Sequence, residues 1–291
     1  MSLVLYDVAG PRTRRRILLG SIVGGLVVLA IVVVAVLRLQ ANEQFDEELY
    51  APFWEEPELW RSLGRGLRAT LLAAVYALVL AMVLGVLLAA GRLSSRAVLR
   101  VPAVAVVEFF RGVPLLLLIF FFFLGFPLAF GINLPTLWAL VFGLTLYNGA
   151  VICEIIRAGV LALPKGQTEA GLAVGLTRGQ VLRTILLPQA FRIMLPALIS
   201  QLVVLLKDTS LGFVIGYAEL LRNGQRAADV LGNPIQIIVV VAAIYIVINL
   251  LLSRLAVWVE GRQRARMSGK GAAGDVDEAV DEAREEVGRQ G

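Results

Sequence analysis

The chain has 291 residues, of which 58% are hydrophobic and 17% charged, with a mean hydropathy of +0.82, far above what a soluble domain of this length shows. It carries 27 Lys and Arg against 22 Asp and Glu, a single cysteine and no histidine, which removes the usual zinc ligand, the usual general base and any intrachain disulfide. The basic residues flank apolar runs and do not interleave with aromatics, which points away from nucleic acid and toward an all-α integral membrane protein of about six transmembrane helices.

Residues 1–16 form a short N-terminal segment ending in "RTRRR". The apolar run Ile17–Leu37 follows, too long for a signal-peptide core and without a small-residue cleavage site, so residues 17–38 read as a retained transmembrane helix. Residues 39–66 form an acidic loop whose Trp54 and Trp60 suit an interfacial strip outside the cell. A transmembrane domain over residues 67–260 holds the runs Leu67–Ala90, Val101–Leu124, Leu134–Val160, Leu187–Ile215 and Ile235–Val259, each able to cross the hydrocarbon. Gly112, Pro114 and Pro196 are expected to interrupt their helices. Residues 261–291 turn from basic to acidic with almost no bulky apolar side chains, the composition of a disordered tail or one frayed helix. With the N-terminus inside, 19 Lys and Arg fall on inner segments and 6 on outer ones. That bias places both termini in the cytoplasm of a multi-pass plasma (inner) membrane protein. No repeat of solenoid length is present.

One polar, glycine-punctuated stretch interrupts the apolar pattern: "EAGLAVGLTRGQVLRTILLPQAF", Glu169–Phe191. Pro164 suits the first turn of a helix, Glu169 its positive end, and Ala170, Ala173 and Val174 the spacing of a small apolar face. Gly175 can take the left-handed conformation that stops this helix, and Thr177 with Gln180 forms a capping box that starts another. The reading is a helix, a sharp turn and a helix returning to the membrane. Its shallow face suits docking into a groove on another protein, and the alternative is an amphipathic helix lying on lipid headgroups.

The stretch resembles the coupling loop of ABC importer permeases, whose pattern is Glu-Ala-Ala, three residues, Gly, nine residues, Ile, one residue, Leu-Pro. Here it reads Glu169, Ala170, Gly171, then Gly175, then Ile185, Leu187 and Pro188, with every interval matching and Gly171 replacing the second alanine. The resemblance runs from about Leu67 to Val259 and narrows to permeases for polar amino acids through "EFFRGVPLL", "LYNGAVICEIIRAGVLALPKGQ" and "LLKDTSLGFVIGYAELL". The opening "VLYDVAGPRTRRR" and the extra first helix are similar to the glutamate permease subgroup. The resemblance implies a type I ABC importer permease fold with its coupling loop over about 164–187. It also implies a cytoplasmic ABC ATPase dimer gripping that loop, a second permease chain or another copy of this one, and an extracellular substrate-binding protein delivering the amino acid. The chain has no Gly-x4-Gly-Lys-Ser/Thr phosphate loop, so ATP and Mg would be held by the partner ATPase, with no cofactor in this chain.

Arg111 lies near the middle of its expected span, as does Lys207 if its helix restarts at Pro196, and each has an acid close in sequence, Glu108 and Asp208. A charge at the bilayer centre costs roughly 2.5–3.5 kcal/mol on the lenient insertion scale, so such groups avoid lipid. Glu108 and Arg111 can meet on one helix face, whereas Lys207 and Asp208 point apart toward other helices. Two readings stay open: ion pairs that lock helices together, or an amino-acid site in which a cation faces substrate carboxylates and Asp208 faces the ammonium. Asn148, Thr209 and Ser210 supply neutral hydrogen bonds under either reading, and Glu154 with Arg157 reads as structural.

Three classes compete: the permease subunit of an ATP-driven amino-acid importer, an ion-coupled secondary transporter, and an intramembrane enzyme. The spaced loop favours the first. The absent histidine and one buried-type cysteine argue against the last.

Overall fold

The computed structural model describes residues 10–255 and 257–258; the expected tail and most of the opening segment lie outside them. The described residues are helical throughout, built on α1 (Pro11–Ala41), α2 (Pro57–Arg92), α3 (Ala97–Gly112), α4 (Leu115–Phe120), α5 (Thr136–Leu161), α6 (Lys165–Ala173), α7 (Leu187–Asp208), α8 (Leu220–Leu231) and α9 (Pro234–Leu255). Five helices are long and apolar enough to cross a membrane, or six if the bent α3–α4 pair is one span.

The centre of the bundle is the packing of α2 on α5. Ala73, Ala77, Ala81, Gly85 and Ala89 recur every fourth residue on α2 and are all buried. Without large side chains on that stripe the two backbones approach closely, the way membrane helices pack when lipid offers no hydrophobic drive between them. A Cβ on Gly85 would lie 2.6 Å from Ile152 Cγ2, and one on Gly149 would lie 2.8 Å from Leu84 Cδ2. On its other side α5 takes α4, where a Cβ on Gly143 would meet the Ile119 backbone at 3.0 Å. Leu140, Leu144, Leu205 and Ile215 complete this core.

The helix limits bear on the sequence reading at three places, two of them departures. First, α2 starts at Pro57, because a proline fits a first helical turn. Residues 57–66 therefore belong to the helix, with Leu59 and Leu63 buried against Leu220, Ala228 and Ile237. Second, the run Val101–Leu124 breaks where expected, at Val113–Pro114, and α3 meets the segment Leu115–Phe130 at 100°. Third, Pro196 does not interrupt its helix; α7 is continuous through it. The local loosening falls earlier, in a π turn at Val181–Leu186 immediately before Pro188. The same arrangement recurs at Phe121–Gly125 before Pro127. A π turn frees backbone carbonyls from their usual partners, which accommodates a proline that brings no N–H.

Beyond α7, a 3-10 segment at Thr209–Ile215 leads through left-handed Gly216 to α8. Glu219, fully buried, caps α8 by accepting from the Leu221 and Arg222 N–H groups at 2.8 and 2.7 Å, and also accepts from the Tyr245 hydroxyl at 2.9 Å. Burial pushes its carboxyl above the usual range, and those donors pull it back. Helix α1 stands apart, its apolar side chains exposed along its length.

Candidate functional site

The polar stretch folds as a helical hairpin. Pro164 precedes α6, and the helix ends before Gly175, whose φ of +85° is the left-handed conformation glycine accepts without a Cβ penalty. The capping box is complete: the Thr177 N–H donates to Gln180 Oε1 at 2.8 Å, and the Gln180 N–H donates to Thr177 Oγ1 at 3.4 Å. Ala170, Ala173 and Val174 are exposed, Val174 to 76%, a shallow apolar face without a covering element among the described residues.

Two residues of the spaced motif face inward. Gly171 is buried, and a Cβ there would lie 2.8 Å from Val181 Cγ2 and 3.0 Å from Ile185 Cδ1. Gly171 therefore does not widen the docking face; it and Ile185 close the hairpin on itself. Glu169 lies in the middle of α6, away from its positive end, exposed and without a hydrogen bond or ion pair to a described residue. Leu187 and Pro188 begin α7, with Pro188 exposed.

The charges expected together at mid-depth separate to opposite ends of the bundle. At the hairpin end, Glu154 sits about two turns, roughly 10 Å, before the end of α5. It receives Arg92 at 3.0 Å, Arg157 at 3.0 Å and Arg111 at 3.9 Å, while Glu108 pairs with Arg92 at 2.9 Å. The expected Glu108–Arg111 pair is not formed. Arg92, the last residue of α2, reaches between the two acids and takes Glu108 instead, and Arg111, in the last turn of α3, reaches Glu154 because α3 packs on α5. Arg92 was not foreseen, since it reads as one of several loop-flanking arginines.

Lys207 lies in the last turn of α7, roughly 30 Å from its first residue because the helix does not restart at Pro196. It is exposed, Asp208 is half-buried, and neither makes an ion pair or side-chain hydrogen bond to a described residue. Lys207 and Ser210 line a cavity of about 410 Å³ with Tyr245 and Asn249 of α9. The Asn249 Oδ1 is buried without a partner, while its Nδ2 donates to the Tyr245 carbonyl at 2.7 Å. The Ser210 hydroxyl donates to the Lys207 carbonyl at 2.7 Å, and buried Thr209 donates to the Leu206 carbonyl at 2.6 Å. Tyr245 and Asn249 were missed, although a polar amide inside the run Ile235–Val259 was visible as an exception to its apolar pattern.

Asn148 belongs to neither group. It is fully buried, donates to the Leu144 carbonyl at 2.9 Å and accepts from Gln201 Nε2 at 2.7 Å, so its amide ties α5 to α7.

Comparison with known proteins agrees with this architecture. The family described as the binding-protein-dependent transport system inner membrane component matches residues 81–265. The glutamate transport system permease protein GluD of Corynebacterium glutamicum is 41% identical over 256 residues, covering 85% of this chain and 91% of that one. The glutamine transport system permease protein GlnP of Escherichia coli is 39% identical over 163 residues, covering 56% of this chain and 74% of its own. Among solved structures, an amino acid ABC transporter crystallised with histidines superposes with a TM-score of 0.67 at 32% identity, covering 70% of this chain and 95% of that one.

Proposed function

Because the chain belongs to the family of binding-protein-dependent transport system inner membrane components, we propose that it is the permease subunit of an ATP-driven ABC importer for polar amino acids, with glutamate as its substrate. The identity to a glutamate permease over 91% of that protein's length carries the substrate assignment. An ion-coupled secondary transporter would leave the hairpin's exposed face without a purpose.

In this reading the hairpin is the ATPase contact. The chain supplies a rigid knob: the Thr177–Gln180 cap and the inward packing of Gly171 against Val181 and Ile185 fix α6 on the helical segment that follows. Ala170, Ala173, Val174 and Glu169 then face a groove on the partner ATPase, which binds ATP and Mg. The hairpin end, rich in arginine, faces the cytoplasm, with both termini on that side. At the opposite end the Lys207 ammonium faces a substrate carboxylate, and the unpaired Asn249 Oδ1 and Ser210 beside it face the substrate's ammonium; Asp208, half-buried next to Lys207, supplies a further negative charge from outside the cavity lining. A second permease chain, or another copy, and an extracellular substrate-binding protein complete the assembly.

Co-purification from the native membrane tests this reading. The chain should bring down an ATPase, and Glu169→Ala should preserve membrane insertion while separating ATP hydrolysis from uptake. A purified complex lacking any ATPase would overturn it.

A further inference from the structure

A larger hollow lies beside the hairpin and is separate from the Lys207 cavity. It has a volume of about 1000 Å³, at the upper limit of ordinary ligand pockets, roughly 300–1,000 Å³. Six arginines from four parts of the chain line it: Arg92 at the end of α2, Arg96 and Arg100 at the start of α3, Arg157 on α5, and Arg178 and Arg183 after the hairpin turn. No Asp or Glu is among the lining residues.

Arg92 and Arg157 are already paired with Glu108 and Glu154. The other four side chains, Arg96, Arg100, Arg178 and Arg183, form no ion pair or side-chain hydrogen bond with a described residue. At the opposite end of α2 the pattern differs, since Arg61 and Arg65 both reach Glu58. A positive-inside bias alone accounts for arginines along an inner face, each free to extend into water. All four are exposed and so individually solvated; what that bias leaves unexplained is that they line one concave site, two from the start of α3 and two from the segment after the hairpin turn, with no carboxylate among its lining residues.

The walls of the hollow supply the other half of the chemistry. Val86, Leu99, Leu161 and Phe191 line it and are between 47% and 62% exposed. A small inorganic anion has no use for that surface, whereas a molecule with a phosphate head and apolar tails uses both. We propose that this hollow binds the headgroup of an anionic phospholipid, its phosphate held by Arg96, Arg100, Arg178 and Arg183 and its acyl chains laid against Leu99, Leu161 and Phe191. Guanidinium forks match phosphate oxygens in geometry as well as charge, and basic pockets between membrane helices take anionic headgroups for this reason. Because the lipid would bridge the α2–α3 turn and the strand of chain leaving the hairpin, it would also fasten the knob to the bundle.

Native mass spectrometry of the purified full-length chain, titrated with phosphatidylglycerol, phosphatidylcholine or inorganic phosphate, tests the proposal. Phosphatidylglycerol should bind at least tenfold more tightly than phosphatidylcholine. Arg96→Gln and Arg100→Gln should each weaken it by about fivefold. Arg12→Gln, equal in charge removed to either but remote in sequence, should leave the preference intact and guards against a general charge effect. Equal binding of both lipids, or full displacement of phosphatidylglycerol by inorganic phosphate, would overturn it. A preference for phosphatidylglycerol that emerges only after residues 271–291 are removed would assign the hollow to that acidic segment instead and would equally overturn it.

Discussion

The two ends of the bundle treat charge in opposite ways. Near the hairpin, Glu154 is 18% exposed and is surrounded by Arg92, Arg111 and Arg157, with Glu108 holding the other side of Arg92. At the far end, Lys207 and Asp208 have no such partners, and the cavity beside them contains an unpaired amide oxygen. Both sets look alike in sequence, as charges embedded in apolar runs. Partnership distinguishes them: a saturated cluster spends its charge on holding helices, whereas an open one retains charge for a ligand.

The largest expected effect breaks the saturated side. Glu154→Gln leaves Arg92, whose side chain is only 13% exposed, and two further arginines facing one another without their shared carboxylate. Removing one partner of a fully buried ion pair costs about 3–5 kcal/mol; Glu154 is partly exposed and Arg92 keeps Glu108, so the loss lies toward the lower end of that range, and membrane abundance and the thermal midpoint in detergent should both fall. Next comes Asn148→Ala, which leaves the Gln201 amide without its partner at a cost of about 1–3 kcal/mol. Transport per assembled complex should then stay near the wild-type rate. A selective loss of substrate affinity would return Asn148 to the substrate pathway.

Smaller still is Glu108→Gln. Its side chain is 56% exposed, and solvent-screened pairs contribute about 1 kcal/mol or less, so a comparison of melting curves should separate it clearly from Glu154→Gln. Least of all on stability is Lys207→Gln, expected within about 0.5 kcal/mol because the residue is exposed and unpaired. Its uptake should nevertheless collapse while ATPase activity without substrate persists. Melting and uptake measured on the same preparations sharpen the contrast: one site fails in stability, the other in transport.

What could be read from sequence was local. Pro164, Gly175 and the Thr177–Gln180 box act within a few residues of themselves, and each appears as expected. The break at Val113–Pro114 is likewise a property of the local backbone. Spatial partners were not legible. Glu108 and Arg111 have the spacing of a helical pair, but Arg92, distant in sequence, reaches Glu108 because α3 folds back across the end of α2. Pro196 was misjudged because a proline's effect depends on whether the surrounding helix can accommodate it, and here α7 continues. The four-residue recurrence of Ala73, Ala77, Ala81, Gly85 and Ala89 was visible in the sequence; only the partner helix gives it meaning, as the seam against α5.

Glutamate uptake into proteoliposomes holding this chain, its co-purified partners and the substrate-binding protein tests the central claim most directly. With ATP supplied on the hairpin side and all ion gradients collapsed by ionophores, uptake should continue, and it should stop when ATP is withheld or Glu169→Ala is introduced. Uptake that ends with the ion gradients and is indifferent to ATP would contradict the importer assignment.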